Sequence, residues 1–171
     1  MAVSVLRVAT TWGDICVEVA EGAVTGCDLP RVTDERQGDL RYLSALVEHP
    51  AGANRTALTE AGEMIRGLLE GKRHPRPPVR LPVASAFTTA VWTAMLDLGF
   101  GETCTYGELA AAAGSPKAAR AAGHACAVNQ IPLFVPCHRV LGSAGALGGF
   151  SSGLGWKRAL LERERGGEVW R

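Results

Sequence analysis

No stretch of this chain is apolar enough to cross a bilayer; no hydrophobic run approaches the roughly 18 residues that a span requires. The N-terminus, Met1-Ala2-Val3-Ser4-Val5-Leu6-Arg7, lacks the basic start, long apolar core and small-residue cleavage site of a secretory signal. A cytoplasmic protein with no membrane partner is therefore expected. A disulfide framework is missing too. The five cysteines, Cys16, Cys27, Cys104, Cys126 and Cys137, are odd in number and irregularly spaced, and a reducing compartment would keep a functional thiol available. Cys16, Cys27, His49 and His74 do not form paired ligand spacings, so no metal is expected. No strand–glycine–helix arrangement has the spacing of a phosphate-binding loop. Net charge is small, +1, which argues against nucleic-acid binding by bulk charge.

The charge that is present is unevenly placed. Residues 1–82 carry 10 Lys/Arg against 11 Asp/Glu, and residues 83–171 carry 8 against 6. Between 115 and 165 lie seven basic residues, Lys117, Arg120, Arg139, Lys157, Arg158, Arg163 and Arg165, opposed only by Glu162 and Glu164. A local basic face of this kind can hold phosphates even on a neutral chain; on charge alone a solvated surface is the preferred reading. Length, 171 residues, suits one large domain or two small ones, and 47% hydrophobic with 20% charged residues is the balance of a soluble globular protein.

Residues 3–9, 14–20 and 23–29 are rich in Val, Ile and Leu, with Gly13 and Gly22 at the turns, and predict three antiparallel strands. Leu40, Leu43, Leu46 and Val47, then Met64, Ile65, Leu68 and Leu69, have helical spacing and predict helices near 37–48 and 57–70. The segment His74-Pro75-Arg76-Pro77-Pro78-Val79-Arg80-Leu81-Pro82 can sustain neither helix nor central strand. The expected domains are 1–74 and 85–171, with 75–84 as linker. Beyond it Ser85 can cap a helix that buries Phe87, Val91, Trp92, Met95 and Leu96. Thr105-Tyr106-Gly107-Glu108 has the capping-box pattern for a helix to about 113. Ser115-Pro116 reads as the cap and first turn of another. Residues 106–126 thus outline a helix-turn-helix. Its second helix, Lys117 to Cys126, has little bulk beyond Arg120 and His124, which suits either tight packing or a close approach to a narrow groove. The last segment, from Leu154, reads as an amphipathic helix with Leu154, Leu160 and Leu161 inward.

The informative stretch is Asn129-Gln130-Ile131-Pro132-Leu133-Phe134-Val135-Pro136-Cys137-His138-Arg139-Val140. A buried extended run delivers a cysteine at its end. Such a cysteine is more often inert core. Here Pro136 interrupts regular structure before it, and His138 and Arg139, which resist full burial, come directly after it. Positive charge or a basic imidazole beside the thiol is expected to lower its pKa toward neutrality.

The Pro136-to-Val140 motif resembles the active-site motif of the O6-alkylguanine-DNA alkyltransferases. So do Asn129, the Gly148-Gly149-Phe150-Ser151-Ser152-Gly153-Leu154 run, Lys157, Leu160-Leu161-Glu162-Arg163-Glu164, and upstream Phe87, Val91-Trp92 and Tyr106-Gly107-Glu108-Leu109-Ala110. The match is close over about 83–165 and holds only in outline over 1–80. The resemblance implies an α+β fold. Its N-terminal half would be ribonuclease H-like, a three-stranded antiparallel sheet with helices. Its C-terminal half would be mostly helical and winged-helix-like. It implies single-turnover DNA repair, a methyltransferase reaction in which Cys137 takes the alkyl group from guanine O6 (O4 of thymine being open) and no cofactor takes part. His138 would accept the thiol proton through a water, Glu164 would orient His138, Asn129 would brace the turn, and Tyr106 would donate to the guanine ring. Ser151, Val140, Phe150 and Pro132 would contact the base. The partner would be double-stranded DNA, met in the minor groove through Ser115, Lys117, Ala119, Arg120, Ala121 and Gly123, with Arg120 replacing a flipped base and the protein acting as a monomer. Two departures stand out: Phe150 replaces a frequent tyrosine, and Gln130-Ile131 replaces a proline-containing pair. A damage-binding protein without transfer, a cysteine hydrolase and a helix-turn-helix regulator are the other readings. The first lacks a reason for Cys137. The second lacks a separate His and Asn pair. The third leaves residues 136–140 without a purpose.

Overall fold

The computed structural model describes residues 2–33, 39–48 and 52–166. Strands β1 (Val3–Thr10), β2 (Gly13–Ala20) and β3 (Ala23–Asp28) lie where the aliphatic segments predict them. Side-chain alternation sorts their faces: Leu6, Val8, Ile15, Val17 and Val19 turn inward, while Arg7 and Glu18 face out. A fourth strand, β4 (Tyr42–Glu48), pairs antiparallel with β1, giving the order β3-β2-β1-β4. The sheet is thus four-stranded rather than three-stranded, and β4 stands where a helix near 37–48 was expected; residues 37 and 38 lie outside the described residues. The helical spacing of Leu43, Leu46 and Val47 has nothing to bury against, since they are 57%, 61% and 39% exposed. Pairing with β1 satisfies the backbone instead, and only Leu40, ahead of the strand, is buried.

Helix α1 (Arg55–Leu69) covers the sheet with Ala57, Leu58, Ala61, Met64, Ile65, Leu68 and Leu69. Asn54, buried at its start, accepts from the Gly22 amide at 2.9 Å and donates to Ser4 Oγ and the Val19 carbonyl, both at 3.1 Å. One side chain thereby pins the β2–β3 turn to the helix. The proline-rich segment runs beside β3: the Val24 amide donates to the Pro78 carbonyl at 2.8 Å and the Arg80 amide to the Val24 carbonyl at 2.9 Å.

Helix α2 (Ala86–Leu96) is capped by Ser85 Oγ, which accepts from the Thr88 amide at 3.1 Å, and buries Val91, Trp92 and Met95 while Phe87 and Leu96 are half-buried. After a short strand β5 (Cys104–Thr105), helix α3 (Tyr106–Ala112) carries the expected capping box of Thr105 and Glu108. Helix α4 (Ala119–Ala127) begins later than Ser115-Pro116 predicts, with Ala118 in the capping position. The reason is local. Gly114 has φ +83°, and the Gly114 and Ser115 amides donate to the Ala111 and Ala110 carbonyls at 2.9 and 2.8 Å. This is a Schellman closure of α3, and residues 115–118 then form a turn of their own, the Ala118 amide donating to the Ser115 carbonyl at 2.9 Å, so the next helix starts only after it. Trp92 Nε1 donates to the Ala125 carbonyl at 2.9 Å and ties α4 to α2.

A 3₁₀ turn (Cys137–Arg139) leads into β6 (Val140–Leu141), which pairs parallel with β5. Helix α5 (Leu154–Glu164) buries Trp156, Lys157, Leu160, Leu161 and Glu164, and Leu154 is only half-buried. Trp156 meets Trp12 edge to face at 5.1 Å and donates to the Pro30 carbonyl at 2.8 Å. Arg163 donates to the Leu69 and Leu40 carbonyls. One hydrophobic cluster runs from the sheet through α2 and α4 to α5, and the 3₁₀ turn sits inside it.

Candidate active site

Residues 129–136 hold the turn by a few contacts. Leu133 adopts φ +73°, costly for a residue with a Cβ and a sign that its surroundings fix it. Asn129 Nδ2 donates to the Val135 carbonyl at 2.8 Å and to Cys137 Sγ at 3.2 Å, while its Oδ1 accepts from the Ile131 amide at 3.0 Å. Asn129 thus reads both ends of the loop and touches the thiol. The Gln130 carbonyl accepts from the Cys27 amide of β3 at 3.0 Å.

The residues after Cys137 are buried, against the expectation that His138 and Arg139 would resist burial: His138 is 0% and Arg139 8% exposed. Glu164 makes this tolerable. Its carboxylate lies 2.7 Å from His138 Nε2 and accepts from Arg139 Nε and Nη2, each at 2.9 Å, and from the Gly101 amide at 2.9 Å. Arg139 Nη1 also donates to the Leu98 carbonyl at 2.7 Å. Burial pulls the Glu164 pKa up, but the hydrogen bonds and charges of His138 and Arg139 outweigh it and hold it at about 2. Burial pushes the His138 pKa down, against the pull of Glu164. The imidazole is therefore neutral, with its proton on Nε2 toward the carboxylate and Nδ1 left as the base. Nδ1 is buried and has no hydrogen-bond partner among the described residues.

The thiol departs from the expectation. Burial raises the Cys137 pKa, and the Asn129 hydrogen bond and the Lys157 charge offset it only in part. The resting group is a thiol, because an apolar surrounding disfavours the anion more than these neighbours favour it. Its reactivity then has to come with a proton acceptor, which is what a neutral imidazole supplies.

Cys137 opens on a pocket of about 450 Å³ lined by Tyr106, Gly123, Cys126, Ala127, Gly149, Phe150 and Ser151. Tyr106, Phe150, Ser151 and Gly123 are thus brought together with the thiol. Pro132 and Asn129 line a second cleft beside it that shares Ser151. Val140 is fully buried at the start of β6 and lines neither cleft. Gly148, at φ +68°, makes room for Tyr106: a Cβ there would stand 2.8 Å from the phenol oxygen. On α4, Arg120 and Ala121 are exposed, as is Lys117 just ahead of it; Ser115, Ala119 and Gly123 are half-buried. Arg120 makes no ion pair or side-chain hydrogen bond among the described residues.

Three residues to which the sequence assigned no role also shape the site. Lys157 is fully buried and donates to the Val140 and Gly149 carbonyls at 2.6 and 3.2 Å, with its ammonium 5.7 Å from the Tyr106 ring centre. Its spacing with Leu160, Leu161 and Glu164 (i, i+3, i+4, i+7) is the signal that places it on the inward face. Arg139 clamps Glu164. Cys126 is a second thiol in the same pocket; burial first, then Cys137, pushes it up to about 12, and it lacks the Asn129 donor. Among the described residues no three His, Cys, Asp or Glu side chains converge as a metal-binding group.

The family described as 6-O-methylguanine DNA methyltransferase, DNA binding domain, matches residues 86–166. A methylated-DNA–protein-cysteine methyltransferase of Methanosarcina acetivorans is 40% identical over 111 residues, 65% of this chain and 71% of the relative. The chain belongs to that methyltransferase family. A Mycobacterium tuberculosis member is 51% identical over 79 residues, 46% of this chain and 48% of its own, so by sequence the chain spans about half the length of that relative. In three dimensions the likeness to the family runs further. A crystal structure of Mycobacterium tuberculosis OGT in complex with DNA superposes with a TM-score of 0.70 at 31% identity, over 91% of this chain and 88% of that one. The α+β architecture with an antiparallel sheet and several helices is therefore the family's.

Proposed function

We propose that this chain repairs alkylated DNA directly, moving an alkyl group from O6 of guanine in duplex DNA to Cys137 Sγ, once per molecule. The observation that carries the reading is the thiol itself. It is held by Asn129, opens on an aromatic-walled pocket, and adjoins a neutral imidazole whose far nitrogen is locked by Glu164. In the step, the S–C bond forms in line as the C–O6 bond breaks. The thiol proton moves to His138 Nδ1, through a water, while Glu164 stabilises the imidazolium. Guanine leaves with the bonding electron pair. Tyr106 donates to its ring, and Ser151 donates at O6, as negative charge builds there. The proton on His138 returns to the departing base, so the net products are a thioether and guanine. A thioether has no good leaving group, which makes the reaction stoichiometric and free of any cofactor.

Phe150 supplies the pocket's aromatic wall without a hydroxyl, and Pro132 borders the space beside it. The Cys137 and Val140 carbonyls read the exocyclic amine; Val140 O already accepts from Lys157 and keeps its second lone pair for this. A base inside the stack cannot reach this thiol, so it must be flipped out. Arg120, exposed on α4, takes its place, with Ser115, Lys117, Ala119, Ala121 and Gly123 along the minor groove. The small outward side chains of α4 suit a groove only about 6 Å wide. The complex of DNA with the mycobacterial OGT supports DNA as the partner. The same reading makes the protein a cytoplasmic monomer, with domains 1–74 (ribonuclease H-like) and 85–171 (winged-helix-like) joined by 75–84.

The test is a mass measurement. After incubation with a duplex containing O6-methylguanine, the Cys137 peptide gains one methyl group, and the Cys137→Ser protein gains none. Binding without mass gain overturns transfer, and turnover beyond one equivalent overturns the stoichiometric mechanism.

A further inference from the structure

The proline-rich segment after α1 borders a cleft separate from the thiol pocket. Gly71, at φ +72°, turns the chain at the end of α1, and the Lys72 amide closes the turn on the Gly67 carbonyl at 2.7 Å. His74 then packs on α1 at Gly67, where a Cβ would collide with its ring. Pro75, Pro77 and Pro78 hold the chain extended beyond the turn, so Lys72, Arg73, His74 and Arg76 stand on a stiff run. Opposite lies the loop 97–100 after α2. Between the two is a cleft of about 290 Å³, floored by Leu133, Phe134 and Arg139. None of its lining residues is on α3 or α4, and none is shared with the Cys137 pocket.

Its charge is one-sided. Lys72, Arg73, Arg76 and Arg139 line it with His74, and Asp97 is its only acid. Lys72 pairs outward with Glu70 at 2.9 Å, and Arg139 is held from within by Glu164. Arg73 and Arg76 have no carboxylate partner among the described residues. The C-terminal end of α2 accounts for one contact, Arg76 Nη2 to the Leu96 carbonyl at 3.0 Å. It does not account for the rest. Burial, then the nearby Arg139 charge, lowers the Arg76 pKa, and the Asp97 carboxylate only partly offsets this, so the cleft keeps an excess of positive charge. Guanidinium forks match phosphate oxygens in pairs, and the bond to the Leu96 carbonyl already orients that of Arg76.

We propose that this cleft binds a small phosphorylated ligand, a di- or triphosphate free or carried by a nucleotide, through Arg73 and Arg76 with Lys72 and His74 at its rim. Titration calorimetry at low salt tests it, using inorganic tripolyphosphate, ATP and adenosine as probes. The full chain binds tripolyphosphate and ATP with one site, and adenosine does not bind. Arg73→Ala and Arg76→Ala each weaken binding about tenfold, whereas Arg120→Ala leaves it unchanged. Arg73 makes no side-chain bond among the described residues, so its variant keeps the fold, with the melting temperature as check. The proposal is overturned if no saturable binding occurs by on the order of 1 mM, if adenosine binds as well as ATP, or if Arg120→Ala weakens binding equally. Displacement of tripolyphosphate by duplex DNA also overturns it, because the cleft would then be a backbone contact of DNA.

Discussion

Glu164→Gln keeps the shape of the side chain and removes its charge. In the native protein that charge accepts from His138, from two nitrogens of Arg139 and from the Gly101 amide, all at 2.7–2.9 Å. A glutamine has one oxygen to offer, and its amide would point hydrogens at a guanidinium or an imidazole N–H. Arg139 is left buried without a counter-charge, a situation that costs about 3–5 kcal/mol. The same change removes the acceptor that places the His138 proton on Nε2, so part of the population holds it on Nδ1, where it cannot accept from the thiol. A misplaced tautomer in a base-and-orienter pair costs on the order of 10⁴ in rate. Urea unfolding and single-turnover methyl transfer read the two effects separately. The double variant Glu164→Gln, Arg139→Met separates them further, because with no stranded charge it regains much of the stability while the rate stays low. If Glu164→Gln changes stability by less than about 1 kcal/mol and rate by less than about twofold, the assignment of Glu164 as clamp and orienter is wrong.

Arg120→Ala should slow repair of duplex DNA by about tenfold or more while leaving reaction with free O6-benzylguanine nearly unchanged, since only the duplex needs a base extruded; equal slowing of both would refute flipping as its role. Gly148→Ala should leave secondary structure intact but slow transfer, because φ +68° and a Cβ 2.8 Å from the Tyr106 oxygen force that phenol out of place; circular dichroism with single-turnover rates checks it. Stability should fall on acidification in two stages. His138, whose folded pKa lies below its ordinary 6.5, resists a proton that the unfolded chain accepts, so its contribution, present above 6.5, is lost as pH falls from there. Glu164, held at about 2 from an ordinary 4.5, contributes fully above 4.5 and loses about 3 kcal/mol as pH falls toward 2. Urea midpoints from pH 7 to pH 3 would contradict this if Glu164→Gln showed the same loss below pH 5.

Much of the site was legible because its chemistry sits in short, contiguous spacings. Asn129 lies eight residues before the thiol and His138 directly after it, and one loop brings all three together. The Ser85 and Thr105 caps were legible for the same reason, since each bonds a backbone amide three residues on. What failed to show depends on partners far along the chain. The segment 42–48 has a helical pattern of leucines, and only its register with β1 makes it a strand. Ser115-Pro116 carries a helix-start signal, but the Ser115 carbonyl closes a single turn on the Ala118 amide, and the helix begins beyond it. Arg139 and Lys157 read as surface charge because nothing in the local sequence says that Glu164, 25 residues on, or the Val140 carbonyl will receive them.

Burial inverts the argument that first made Cys137 interesting. Neighbouring positive charge should have given a resting thiolate, and the structure gives a thiol whose pKa is raised by its apolar surroundings. A preformed thiolate would be open to any electrophile that entered the pocket. A thiol beside a neutral base stays inert until a substrate carbon is in line and the proton can leave as the new bond forms. On this view Asn129 tells the two pocket thiols apart: it donates to Cys137 and not to Cys126, which burial holds at about 12. Asn129→Ala should therefore slow methyl transfer to Cys137 while Cys126 remains unmodified. Mass analysis of both peptides over time after reaction with an O6-methylguanine duplex decides it, and an undiminished rate at Cys137 would show that the pocket, rather than the hydrogen bond, selects the nucleophile.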